Sequence, residues 1–185
     1  MSSPIQAINL REIRLPLRQP FVASHGEVTD RRILLLELCD ADGYSAWSEC
    51  VAMAEPSYFP DTADTAWLAI REWIAPRVLG WFFEHPQDVA PRINQGVRGH
   101  AMARAAIEMG CWGLDAARQG LSLAQLLGGT EGTRRTVETG AALGLQPSLE
   151  VLTERVEQLA RAGYRRIKLK IGPGADLEPL RAARA

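Results

Sequence analysis

Arg166-Ile167-Lys168-Leu169-Lys170-Ile171-Gly172-Pro173-Gly174 alternates polar and apolar residues and then breaks on Gly-Pro-Gly. A period of two is the signature of a β-strand, so Ile167, Leu169 and Ile171 share one face and Lys168 and Lys170 the other. The lysines stand about 7 Å apart at Cα, from the rise per residue. The glycine-proline break places them at the C-terminal end of the strand, where parallel α/β folds collect their chemistry.

The pair stands out because lysine is otherwise absent. Of the 21 basic residues, Lys168 and Lys170 are the only lysines, which leaves 19 arginines. Arginine keeps its proton near neutral pH, whereas a lysine close to a like charge gives its proton up more readily. The pair is therefore the candidate proton-transfer group. Two lysines on a strand end also fit a solvated face that discourages edge pairing.

Working outward, Ser148 caps a predicted helix to about Ala162, closed by Gly163, and Val137 to Leu143 reads as the strand before it. Another helix begins near Leu177 or Glu178. Strand, helix, strand, helix is the grammar of a parallel sheet. Two strands are too few to cover such a sheet, so the reading expects most of a larger α/β domain to be missing.

The first half has a different grammar. Ile5 to Arg18 reads as a strand ended by Pro16 and Pro20, and Pro20 to Gly26 as a loop. Arg32 to Asp40 is a second strand, Asp40-Ala41-Asp42-Gly43 a turn, and Tyr44 to Val51 the returning strand. A helix capped by Asp61 or Thr62 is expected to run to about Val78, with Trp67, Ile70, Trp73 and Ile74 on one face. A shorter helix is expected near Asp88 to Gln95. Ala101 to Gln119, closed by Gly120, is the clearest helix, and Ser122 to Leu127 makes a short one.

Composition excludes several classes. With a net charge of −1 and a pI near 6.3, nothing points to nucleic acid or to an anionic membrane. No apolar run approaches the ~20 residues of a membrane span, and no signal peptide is visible. Cys39, Cys50 and Cys111 fit neither a disulfide framework nor a zinc pattern, so the reading is reduced, mostly buried thiols in a cytoplasmic protein.

The ordered set of motifs resembles the enolase superfamily, in its muconate-lactonizing branch, and within it o-succinylbenzoate synthase and N-acylamino acid racemase. The matching stretches are Pro20-Phe21 with Ser24 and Gly26, Trp47 with Glu49-Cys50-Val51-Ala52-Met53, and Pro56 with Tyr58. Ala105-Ala106-Ile107-Glu108, Ser122 to Gly129, and Gly163 to Gly174 around the lysines complete the set. The resemblance implies an α+β N-terminal capping domain over residues 1–132, a three-stranded antiparallel meander plus helices. Residues 133–185 would be the first two βα units of a TIM-type (β/α) barrel, left incomplete by truncation.

The resemblance also implies the chemistry. A base removes the proton α to a carboxylate, and a divalent metal, Mg²⁺ or Mn²⁺, stabilises the enolate. Lys170 would be the acid/base and Lys168 its neighbouring positive charge. Ser24 and His25 would lie in a lid loop, and Met53 and Tyr58 would line the substrate pocket. The metal ligands are expected beyond this chain, since Asp40, Asp42, Asp61 and Asp64 belong to the cap. The 185 residues alone are therefore expected to be inactive. The complete protein is expected to be a homo-oligomer acting on a small carboxylate, as synthase, racemase or both. The alternatives are a dipeptide epimerase, a cycloisomerase, an acid-sugar dehydratase, or a non-catalytic cap remnant. Two departures bear on the substrate. Ala46-Trp47-Ser48-Glu49 stands where Gly-Trp-Gly-Glu is common, and His25 stands where an aromatic or apolar residue is common.

Overall fold

The computed structural model describes residues 3–23, 26–129, 136–172, 174 and 176–184. By contact the chain divides into two compact units, Met1–Leu15 with Arg31–Arg134, and Pro16–Asp30 with Arg135–Ala185. The sequence expectation kept the first 132 residues together. The division differs because the far end of a hairpin is grouped with the second unit.

That hairpin is built from β1 (Ile5–Ala23) and β2 (Gly26–Asp40), and β3 (Ser45–Cys50) follows in a sheet of order β1-β2-β3. Here the structure corrects the sequence reading. Pro16 and Pro20 do not end the first strand, and most of the expected loop is strand. Proline removes a ladder donor, but on the edge strand of a sheet that donor can face outward without cost. The β2–β3 pairing is antiparallel with Leu34 opposite Cys50 and Leu38 opposite Ala46. Asp40 makes the turn between them, its carboxylate accepting from the Asp42 and Tyr44 amides at 3.0 and 2.9 Å.

Strict alternation along β2 buries Leu34, Leu36 and Leu38 on one face. Against that face lies α4 (Ala101–Arg118), which turns Ala103, Ala106, Ile107, Gly110, Cys111 and Leu114 inward. Gly110 lets the helix approach, since a Cβ there would come within 2.5 Å of Leu38 Cδ1. The Ser48 hydroxyl donates to the Ala106 carbonyl at 2.7 Å and ties β3 to the same helix.

Between β3 and α4 lie α1 (Ala63–Ala69), a π-helical turn (Ile70–Ile74), α2 (Ala75–Val78) and α3 (Val89–Asn94). Thr62 is the N-cap of α1, in a capping box with Thr65. The expected single helix with Trp73 on its apolar face is corrected. The Ala75 amide bonds Ile70 O rather than the i−4 carbonyl. Pro76, at the start of α2, has no N–H to offer, which favours this local widening. Ile70 and Ile74 stay buried while Trp73 turns to the surface, 42% exposed.

The second unit contains β4 (Ala141–Leu143), α6 (Leu149–Arg161), β5 (Ile167–Leu169) and α7 (Leu177–Ala182). The short α5 (Leu123–Gly128) precedes them. The two strands pair in parallel, Ala141 with Ile167 and Leu143 with Leu169. Both are shorter than the sequence suggested. Val137, expected in the first of them, is 82% exposed. A strand is defined by its partners, and among the described residues the ladder here is flanked by only two further backbone bonds, Ala141 N–H to Arg166 O and Lys170 N–H to Leu143 O. The βαβ unit is present, while no closed barrel is formed by the described residues.

Candidate functional site

Lys168 sits inside β5, opposite Ala142, with its side chain exposed. Lys170 lies just past the end of the strand and is half-buried, its amide donating to Leu143 O at 3.0 Å. Its ammonium nitrogen lies 6.0 Å from the centroid of the Phe21 ring, on the hairpin end of the same unit. The next hairpin residue, Val22, accepts from Leu145 N–H at 2.9 Å through its carbonyl. Beside these residues a cavity of about 360 Å³ is lined by Gln19, Phe21, Gly144, Gln146, Arg155 and Gln158, among others. Arg155 crosses it from α6 to bond Gln19 at 2.9 Å.

Met53 and Tyr58 belong to the first unit, on the connection between β3 and α1. Met53 is half-buried and forms a parallel bridge with Thr62, its carbonyl accepting from Ala63 N–H at 2.8 Å. Tyr58 is 68% exposed, its ring edge-to-face with Phe59. Ser24 and His25 lie outside the described residues. The structure therefore joins Lys168 and Lys170 on one strand end, and Met53 and Tyr58 on one connecting segment.

Three carboxylates of the first unit, Asp40, Glu12 and Asp64, are committed to arginine partners. Asp40 is buried and takes the Arg118 guanidinium at 2.8 Å. Arg32 grips Glu12 and Asp64 together, with contacts from 2.7 to 3.1 Å. Its hydrogen bonds hold Glu12 below the ordinary value of 4.5 and Asp64 below 3.8, and in return keep the guanidinium protonated. Among the described residues, no three His, Cys, Asp or Glu gather closely enough to hold a metal ion. The described residues thus do not assemble a divalent-metal site. The thiols are free, and burial raises all three, Cys111 to about 12.

Sequence reasoning missed Phe21, Gly144 and Arg32. The first two gain their role only from a long-range approach of backbones, which no local pattern announces. Arg32 stands in a run of charged residues at the start of a strand and looks there like ordinary surface.

A meander-and-helix cap followed by a parallel βαβ unit with paired lysines at its strand end defines the capping-domain class of the enolase superfamily. Residues 6–128 match the mandelate racemase / muconate lactonizing enzyme N-terminal domain, and the chain belongs to that family. It is 36% identical over 184 residues to the o-succinylbenzoate synthase of Geobacillus kaustophilus, a match covering 100% of this chain and 48% of that protein. It is 41% identical over 180 residues to the N-succinylamino acid racemase of Thermus thermophilus, covering 97% and 47%. A solved enolase-superfamily structure from Enterococcus faecalis V583 superposes with a TM-score of 0.86 at 36% identity, covering 100% of this chain and 49% of that one. The chain spans about half the length of the curated relatives it matches. Among the described residues, no helix is long and apolar enough to cross a membrane.

Proposed function

We propose that these residues belong to an enzyme that removes the proton α to a carboxylate of a small molecule, with Lys170 as its acid/base. The observation that carries the reading is the lysine pair at the C-terminal end of a parallel strand. The alignment of nearly the whole chain with a synthase and a racemase supports it.

In this reading residues 1–132 are the cap and 133–185 open a barrel. The Lys170 amine takes the α proton at Nζ. The C–H bond breaks, an N–H bond forms, and the electron pair passes into the carboxylate as an enolate. Lys168 supplies positive potential toward the substrate carboxylate. In the same reading Ser24, His25, Met53 and Tyr58 help set which acid is accepted. Met53 offers a polarizable, adaptable apolar surface and Tyr58 a ring with a polar tip. A divalent ion, Mg²⁺ or Mn²⁺, supplies charge stabilisation in such chemistry when bound. The described residues do not gather ligands for it, and no step is assigned to it. The same reading has the 185 residues alone carry no turnover and the complete enzyme act as a cytoplasmic homo-oligomer.

The test is a chimera in which this chain replaces the matching half of the Thermus thermophilus racemase. It is assayed for racemisation of N-succinylamino acids and for formation of o-succinylbenzoate. Turnover in either assay that is lost in Lys170→Arg supports the reading. A folded chimera with neither activity, or an unimpaired Lys170→Arg chimera, rejects it.

A further inference from the structure

We infer that the hairpin end Pro20–Ala23 is a backbone-docked brace for the lysine strand, and that Phe21 is a positioning residue for Lys170. The inference rests on the acid/base reading above for its catalytic meaning, but its geometry stands on its own.

The docking begins at Gly144, directly after β4. A Cβ there would fall 2.8 Å from Val22 O and 3.1 Å from Val22 N. Both are backbone atoms held within a strand, so they cannot swing aside as the end of a side chain can. Only glycine lets the hairpin come this close, and the closeness places Val22 O on the Leu145 amide at 2.9 Å. The residue before Gly144, Leu143, accepts the Lys170 amide at 3.0 Å. Val22 and Lys170 are thus tied to the same three residues, 143 to 145.

Phe21 precedes Val22 in the strand, and its half-buried ring comes to 6.0 Å from Lys170 Nζ. A cation over a ring face within about 6 Å is attracted by the ring quadrupole. A third tie fixes the stem, where Gln19 accepts from Arg155 of α6 at 2.9 Å. One backbone bond and one side-chain bond thus hold the ring's strand, a second backbone bond holds Lys170 to the same segment, and the ring restricts where a flexible four-carbon amine can point. Lys168, on the same strand, carries no such ring contact among the described residues. The two lysines are chemically alike and differ in being steered or unsteered.

The scarcity of lysine makes the inference testable on the 185-residue chain. Labelled with ¹³C-lysine, it gives two side-chain signals, assigned by the loss of one in Lys168→Arg. The Lys170 methylene protons nearest the nitrogen should be displaced upfield of those of Lys168 by the ring current. Phe21→Leu should collapse that difference, Phe21→Tyr should keep it, and Gly144→Ala should remove it together with hydrogen-exchange protection of the Leu145 amide. Dispersed spectra of the Tyr variant show that the site tolerates replacement. Coincident lysine signals in the unmodified chain, or a difference that survives Phe21→Leu, overturn the inference whatever the fate of the acid/base reading. In the chimera Phe21→Leu should lower kcat by up to about 10²-fold with KM little changed, and Phe21→Tyr should restore it. Loss of Lys170→Arg sensitivity with the NMR result intact would reject the acid/base role and leave the brace standing.

Discussion

The two units of the chain are held together by different means. In the first, Ile5, Leu34, Leu36, Leu38, Ile70, Ile74, Phe83, Ile107 and Leu114 are at most 1% exposed. They form one core between a sheet face and a helix. In the second, Ala23 and Leu152 are the only hydrophobic residues among those described that are buried, and each is still 6% exposed. Val137, Ile171 and Leu177 stand largely in solvent. The first unit carries its own hydrophobic driving force, and the second relies on backbone bonds and polar ties around a two-stranded ladder. The lysine pair lies in the less consolidated unit, consistent with the tendency of functional segments to come from the low-stability end of a fold.

The comparison can be broken in graded ways. The largest effect is chemical. Lys170→Arg in the active chimera should lower turnover by about 10²–10⁴-fold, as loss of a positioned general base does, while leaving the thermal transition of the first unit unchanged. A normal kcat would remove the lysine from the mechanism. Next comes packing. Leu38→Ala should cost about 2–5 kcal/mol in chemical denaturation, since it deletes a fully buried side chain facing α4. Leu152→Ala, in the second unit, should barely move the main transition. Equal losses would mean that the two units melt as one.

Gly110→Ala should destabilise by about 1–3 kcal/mol, because the added methyl meets Leu38 and the Ser48 hydroxyl. Those neighbours are side-chain ends, so the cost should stay below that of Leu38→Ala. The smallest effect is electrostatic. Arg32 depresses Glu12 and Asp64 in the folded state. The stabilisation they give is therefore full above their ordinary values of 4.5 and 3.8, and is lost as pH falls through their lower folded values. Asp64→Asn should flatten the acid limb of the stability curve measured by urea denaturation. An unchanged limb would show that the pair is too solvated to matter.

Much of the first unit is legible in the sequence because its determinants are local. The alternation of Ile33 to Asp40, the Asp40–Gly43 turn, the Thr62 cap and the alanine-rich α4 each write their own structure. The failures fall where structure depends on something distant. Pro16 and Pro20 read as breakers because position at a sheet edge cannot be seen from within the strand. The helix through Trp73 read as uniform because the effect of Pro76 is felt one turn earlier. β4 and β5 read too long because strand length is set by the partner. At the candidate site, the lysine pair is readable by period and scarcity. Phe21 and Gly144 are silent until two backbones meet.

The prolines of β1 have one more consequence. They lie four residues apart, so their ring nitrogens face the same side of the ribbon, and β1 is the outer strand of its sheet. Proline in an outer strand is one of the devices that discourage a second chain from extending a sheet. The longest strand among the described residues thereby becomes a poorer template for fibre-like growth.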